Sequence, residues 1–187
     1  MHKRRLVCAA ALLIVLPLLI KAQNPPVDIS FTVAMTRPHT HLLEVDVAIR
    51  RTASGPQEER LIMPVWTPGS YMVREFARHV QDFAATDAGG QPLKWEKTNK
   101  DTWRIMTNGA REWHARYSVY ANELSVRTSE LNSGHAFWNN ANILMYLEGY
   151  LQSPSTVRVL APDVWKVATG LPAVLGQKNM FRAENFD

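Results

Sequence analysis

Hydrophobic and polar residues alternate in two neighbouring segments, residues 30–35 and 43–50. The apolar positions are Phe31, Val33 and Met35 in the first segment and Leu43, Val45, Val47 and Ile49 in the second. A period of two predicts β-strands that each bury one face. The residues between them, Arg37-Pro38-His39-Thr40, are typical of a turn, so we predict a β-hairpin.

Short segments with strand-like composition recur along the rest of the chain, separated by turn-forming runs such as Ala88-Gly89-Gly90. We predict further strands at residues 60–63, 80–86, 94–97, 102–106, 113–120, 143–146, 156–160 and 166–169. The helical candidate is residues 70–80, for which we expect one or two turns at most. Many short strands with regular turns predict an all-β fold with one short helical turn, either a β-sandwich or a set of saddle-like antiparallel sheets.

The first 22 residues predict a secretory signal peptide that is cleaved after Ala22. A basic start at residues 3–5 precedes an apolar run over residues 6–20, which is shorter than the ~20 residues of a membrane-spanning helix. The alternative is an uncleaved N-terminal anchor, which would then be the only part of the chain in contact with a membrane. Both interpretations predict an exported protein, periplasmic or secreted, whose β domain occupies residues 23–187.

Removing the signal peptide changes the interpretation of charge. Four of the 21 basic residues lie within it, which leaves 17 basic and 17 acidic residues in the mature domain. A domain of zero net charge does not have the basic surplus typical of nucleic-acid binding, so we predict no nucleic-acid partner. Cys8, the single cysteine, also lies in the signal peptide, and the mature domain therefore contains no disulfide and no thiolate metal site.

The sequence contains no recognisable catalytic motif. Zinc peptidases of the HExxH type need a glutamate directly after the first histidine, and none of the six histidines here is followed by one. His39 and His41 lie in a predicted turn without a third ligand nearby, so we interpret them as polar surface. Ser70 lacks the second glycine of a nucleophile elbow. We predict no catalytic residue, no metal ion and no cofactor in this chain.

Two segments stand out by composition. Residues 64–71 combine two prolines, a glycine and two large aromatic residues, which we interpret as a rigid structural corner whose aromatic side chains supply core area. Residues 134–142 combine a histidine, two aromatic residues and three asparagines. A loop of this composition offers hydrogen-bonding groups and a stacking face to a ligand. The alternative is that the asparagine side chains hydrogen-bond the backbone of their own loop.

The same parts of the chain carry a resemblance to a known family. Residues 66–80, WTPGSYMVREFARHV, look like the W-x-P-G-S-Y-x-[IV]-R-[ED]-[FY]-x-[RK]-[HN]-[VI] stretch of the glycyl aminopeptidase family, metallopeptidase family sixty-one. Residues 97–103 are similar to its K-x-x-K-x-x-W turn, and residues 117–128 resemble its Y-x-V-Y-A-x-[ED]-x-[ST]-V-R-T strand and turn. The likeness extends over nearly the whole mature chain.

The resemblance implies that the chain is the N-terminal β domain of a larger zinc aminopeptidase and ends before the catalytic domain. In that family HExxH and a distant glutamate bind zinc in the catalytic domain, so zinc is expected there, and this chain alone is expected to be inactive. The implied partner is the catalytic domain of the same polypeptide, on which the β domain packs while a loop helps to bind the amino end of a peptide substrate. Our candidate substrate-binding residues are His135, Trp138, Asn139 and Asn140.

A hypothesis from a different class remains open. The chain would then be a self-standing exported β-sandwich that binds a glycan or a protein. Its glycan site would combine the ring of Trp138 with the side chains of Asn139, Asn140 and Asn142.

Overall fold

Strands dominate the structure, a computed structural model that describes residues 26–67 and 70–186. The signal peptide predicted for residues 1–22 and its cleavage site lie outside the described residues. The strands are β1 (Asp28–Ala34), β2 (Leu42–Arg50), β3 (Glu59–Ile62), β4 (Val80–Asp87), β5 (Trp95–Lys97), β6 (Thr102–Ile105), β7 (Glu112–Tyr120), β8 (Glu130–Leu131), β9 (Ala136–Phe137), β10 (Tyr146–Leu147), β11 (Ser155–Leu160) and β12 (Met180–Ala183). Two 3₁₀ helices, Pro38–Thr40 and Phe76–His79, and one α-helical turn, α1 (Asn140–Ile143), complete the regular structure of the described residues.

The strands of the described part of the chain form two main sheets and one small hairpin. The larger sheet has the order β12-β11-β1-β2-β7-β4, the smaller has the order β10-β3-β6-β5, and β8 pairs with β9. Among the described strands, β1 and β11 run parallel and the other pairs are antiparallel. This arrangement confirms the predicted all-β, sandwich-like fold.

The predicted hairpin is confirmed by the pairing of β1 with β2. Phe31 lies opposite Val47 and Val33 lies opposite Val45, so the apolar residues of both strands share one face. These residues and Trp113 of β7 are almost completely buried, and they form one core with residues of the smaller sheet such as Leu61. Burying each such side chain stabilises the fold by about 1.5–3 kcal/mol before the entropy cost of ordering it.

Three predictions about local secondary structure differ from the observed structure. Residues 166–169 form no strand, because no strand among the described residues pairs with them, although Trp165 and Val167 pack on the core. Residues 143–146 are split between the end of α1 and the start of β10. The helical candidate at residues 70–80 is confined to the 3₁₀ helix Phe76–His79.

One end of the larger sheet carries the short helical turn α1. β7 finishes there at Tyr120, and β4 begins there because Val80 pairs with Val119. The hydroxyl of Tyr117 donates to the carbonyl of Ile143 at 2.9 Å and accepts from the N–H of Met145 at 3.1 Å. These two hydrogen bonds hold α1 beside β7, so the asparagine-rich segment lies against this end of the sheet.

Candidate functional site

A cleft of about 730 Å³ brings together the two segments that the sequence singled out. Residues 64–67 line one side of it, and residues 136–141 line another. Val157 and Val159 of β11 and Phe181 of β12 contribute apolar surface from the larger sheet. None of the described residues that line the cleft carries a charged side chain, so the cleft suits a neutral and largely apolar ligand.

Hydrogen bonds close the segment around Trp66 into a loop. The indole Nε1 of Trp66 donates to the carbonyl of Ser70 at 2.6 Å, and the backbone N–H of Arg74 donates to the carbonyl of Val65 at 2.6 Å. The interpretation of its aromatic residues as core area was wrong, since Trp66 is 50% exposed and Tyr71 is fully exposed. Both rings are therefore accessible from outside the domain.

The asparagines of the second segment serve partly to build their own loop. Asn139 is the N-cap of α1, and its Oδ1 accepts from the backbone N–H of Ala141 at 3.0 Å, as such caps commonly do. Asn140 Oδ1 accepts from the indole Nε1 of Trp138 at 3.2 Å, which fixes the ring at the edge of the cleft. Trp138 packs partly against the core.

Three of the four candidate residues, Trp138, Asn139 and Asn140, thus meet in the cleft, and the fourth lies outside it. His135 is exposed in the turn between β8 and β9, and its Nε2 lies 3.0 Å from Oε2 of Glu130. It does not line the cleft. The geometry therefore separates His135 from the other candidates.

Asn142 is buried and is therefore not part of an exposed ligand-binding surface. It is 4% exposed, and its Nδ2 donates to the carbonyl of Arg127 at 3.2 Å. A glycan platform built from Trp138 with all three asparagines is therefore wrong in its use of Asn142. The hydrogen bond instead ties α1 to the segment that follows β7.

A further part of the cleft comes from residues that sequence reasoning missed. Residues 167–171 line it, together with Tyr146, Leu151 and Phe186. The sequence predicts a strand at residues 166–169, and residues 167–171 carry only small or aliphatic side chains. The nearest signal in the sequence was the apolar spacing of Trp165 and Val167.

The described residues hold no group of three or more His, Cys, Asp or Glu side chains that could bind a metal ion. His41, which was considered with His39, occupies a left-handed backbone conformation at the end of the first 3₁₀ helix. Its Nδ1 lies 2.5 Å from the carbonyl oxygen of Leu131. No helix in the part of the chain that the structure describes is long and apolar enough to cross a membrane.

Comparison with known families decides the assignment of the chain. The family model described as the Peptidase M61 N-terminal domain matches residues 30–187. The chain belongs to this family. The resemblance seen at residues 66–80, 97–103 and 117–128 is thereby confirmed.

The solved structures that match this M61 N-terminal domain are longer than the chain. An aminopeptidase N family protein from Idiomarina loihiensis matches with 31% identity and a TM-score of 0.76, over 84% of this chain and 27% of that one. The chain thus spans about a quarter of the length of that relative. An M1 zinc metallopeptidase from Deinococcus radiodurans matches at 14% identity with a TM-score of 0.42, over 83% of this chain and 38% of that one, which is too weak to establish a shared fold. No curated protein matches the chain.

Proposed function

We propose that this M61 N-terminal domain is the non-catalytic part of an exported zinc aminopeptidase, that it packs on the catalytic domain of the same polypeptide, and that it helps to bind the peptide substrate. Family membership and the partial match to a much longer aminopeptidase N family protein support the first two parts. Zinc binding is assigned to the catalytic domain, and so is the chemistry of hydrolysis.

The convergence of residues 64–67 and 136–141 on one cleft is the observation that carries the substrate-binding part. Trp66 and Trp138 offer apolar faces, and Asn139 and Asn140 place amide groups beside them. Amides can hydrogen-bond a peptide backbone without introducing a charge. The aromatic rings and the valines of β11 can bury an apolar side chain of the substrate.

The absence of charged side chains among the described residues that line the cleft indicates which part of a peptide can bind there. An α-ammonium group placed in a cleft without a carboxylate would lose its hydration and gain no counter-charge, which is costly. We therefore assign to the cleft an uncharged, apolar part of the peptide rather than its amino end. The binding of the amino end, which the resemblance implied for this loop, is assigned to the catalytic domain.

The test uses the longer polypeptide that carries this domain and its catalytic domain. Asn140→Ala removes an amide from the cleft, and Asn99→Ala is the matched control, because Asn99 is exposed in the turn between β5 and β6. We expect kcat/KM for peptides to fall several-fold for Asn140→Ala, which corresponds to the ~0.5–1.5 kcal/mol of one neutral hydrogen bond. The control is expected to leave kcat/KM unchanged.

Thermal melting separates this proposal from the alternative that the asparagines only build the loop. Substrate binding predicts a nearly unchanged Tm for Asn140→Ala together with reduced kcat/KM. A Tm lowered by many degrees with unchanged kinetics of the folded enzyme would show that Asn140 is structural, and the site assignment would then be wrong.

A further inference from the structure

We infer that two loops beside the cleft, residues 70–73 and 122–128, form the surface on which the catalytic domain docks. We call them the docking loops. The inference rests on the proposed function, because it names the face of this domain that receives the partner proposed there. The second loop follows β7 directly, and the first loop is connected to the start of β4 through the 3₁₀ helix Phe76–His79.

The docking loops expose apolar side chains that a free surface would not favour. Tyr71 is fully exposed, and Met72 and Val73 beside it are mostly exposed. Leu124 and Val126 are also mostly exposed, and the value for Val126 is 81%. Grouped apolar exposure of this kind marks interaction surfaces, whereas single exposed apolar residues are ordinary.

Hydrogen bonds fix the outward direction of the second docking loop. Thr128 Oγ1 donates to the carbonyl of Glu123 at 2.6 Å, and Ser125 Oγ lies 2.7 Å from Thr128 Oγ1. The backbone N–H of Arg127 donates to Ser125 Oγ at 3.2 Å. A loop that is already ordered loses less conformational entropy when a partner binds. The exposed apolar side chains of this loop can therefore contact a partner at a low entropic cost.

The two docking loops belong to one structural block. The 3₁₀ helix Phe76–His79, which follows the first loop, contacts α1, and α1 is tied to the second loop through the Asn142–Arg127 hydrogen bond. Phe76 and His79 also share a cavity of about 130 Å³ with Glu123 and Thr128. The hydrogen bond from Trp66 to the carbonyl of Ser70 also places the first loop next to the cleft. With the catalytic domain docked on these loops, the cleft would open at the junction of the two domains, where ligand sites often lie.

The catalytic domain fits this surface better than a second copy of the chain does. The chain corresponds to 27% of the length of the Idiomarina protein, so the remaining length of such a polypeptide supplies a large partner that is always present. The linked catalytic domain also meets this surface at a high effective concentration, whereas a second copy of the chain competes only at its bulk concentration.

Thiol labelling in the longer polypeptide tests the inference with two matched valines. Val126 in the second docking loop is 81% exposed in this domain, and Val164 near the β11–β12 edge of the larger sheet is 89% exposed. The mature domain contains no cysteine of its own, so Val126→Cys and Val164→Cys each add one thiol to it. Labelling with iodoacetamide is followed on the peptides of this domain by mass spectrometry.

We expect the Val126→Cys polypeptide to be labelled at least about tenfold more slowly than the Val164→Cys polypeptide, because a docked partner leaves only transient opening for the reagent. Tyr71→Cys should be protected in the same way. Equal Tm values for the variants would show that the substitutions leave the fold intact.

The alternative outcomes are distinguishable. Fast labelling at residues 71 and 126 with protection at residue 164 would overturn the docking surface but leave domain packing, and with it the proposed function, in place. Equal, fast labelling at all three positions would refute this inference and also the proposed packing on a catalytic domain.

Discussion

The substitution Glu59→Gln tests how the interior of the domain is held together. The side chains of Arg51 and Glu59 are 3% and 4% exposed, and the guanidinium binds both carboxylate oxygens, with Nη2–Oε1 at 2.5 Å and Nη1–Oε2 at 3.0 Å. The indole Nε1 of the buried Trp113 donates to the same carboxylate at 2.7 Å. Three buried donor nitrogens, from Arg51 and Trp113, therefore depend on the carboxylate of Glu59.

Glutamine at position 59 would leave the Arg51 guanidinium charged and buried without a counter-charge. It would also offer one acceptor oxygen in place of two, so Arg51 and Trp113 would compete for it. Removing one partner of a buried ion pair typically costs about 3–5 kcal/mol. Burial raises the pKa of Glu59 even though Arg51 and Trp113 act in the opposite direction, so the ionised carboxylate already carries a desolvation cost. We expect the lower part of the range, about 3 kcal/mol.

A loss of that size is a large share of the roughly 5–15 kcal/mol that stabilises a typical domain. Urea denaturation followed by tryptophan fluorescence measures it as a shift of the midpoint. The matched control is Glu75→Gln, which breaks the exposed 2.8 Å ion pair between Glu75 and Lys100, and we expect no measurable shift there because exposed pairs contribute little. Equal midpoints for the two variants would refute the reasoning. The double substitution Arg51→Met with Glu59→Leu is expected to recover much of the loss, because it removes both charges together.

Three further predictions follow from the fold and the proposed function. Residues 23–187, purified with zinc present, should not hydrolyse glycyl or alanyl amides; hydrolysis above a buffer blank would contradict this. The same chain should self-associate through its exposed docking loops and bind a hydrophobic dye, whereas a clean monomer by light scattering without dye binding would favour a self-standing module. Burial raises the pKa of Tyr117 far above its usual 10. Above pH 10 the unfolded chain releases the hydroxyl proton of Tyr117, whereas the native state keeps it. The free energy of unfolding should therefore fall above pH 10 by up to about 1.4 kcal/mol per pH unit. Tyr117→Phe should make this decline shallower when denaturation is measured from pH 9 to 11, and it should lower stability at pH 7. An unchanged slope would exclude Tyr117 as the source of the pH dependence.

The sequence predicted those strands correctly in which buried and exposed side chains alternate regularly. β1, β2 and β7 bury every second side chain against the core, so their alternation was visible in the sequence. β8 and β9 each contain two residues, too few to show a period. Residues 166–169 were predicted as a strand from their spacing along the chain, but strand formation also requires a neighbouring backbone to pair with, which spacing does not reveal.

The candidate site was predicted in composition but not in shape. The density of aromatic and amide groups at residues 134–142 pointed to Trp138, Asn139 and Asn140, which do meet in the cleft. It also pointed to His135, which lies outside the cleft, and to Asn142, which is buried. Spacing along the chain could not distinguish these cases, since the direction of each side chain is set by the cap of α1 and by the β8–β9 turn.

The parallel pairing of β1 with β11 has a consequence for how the domain folds. β1 pairs with β2 through contacts that are local in sequence. Its other edge is paired only when β11 joins the sheet, with Ile29 opposite Ser155 and Ala34 opposite Leu160. Contacts between residues so distant in sequence form slowly, because a long loop must close first. Until then β1 presents an unpaired edge that can join another chain. Any fragment that ends before residue 155 would keep that edge permanently, so the last part of the domain protects its first strand from aggregation.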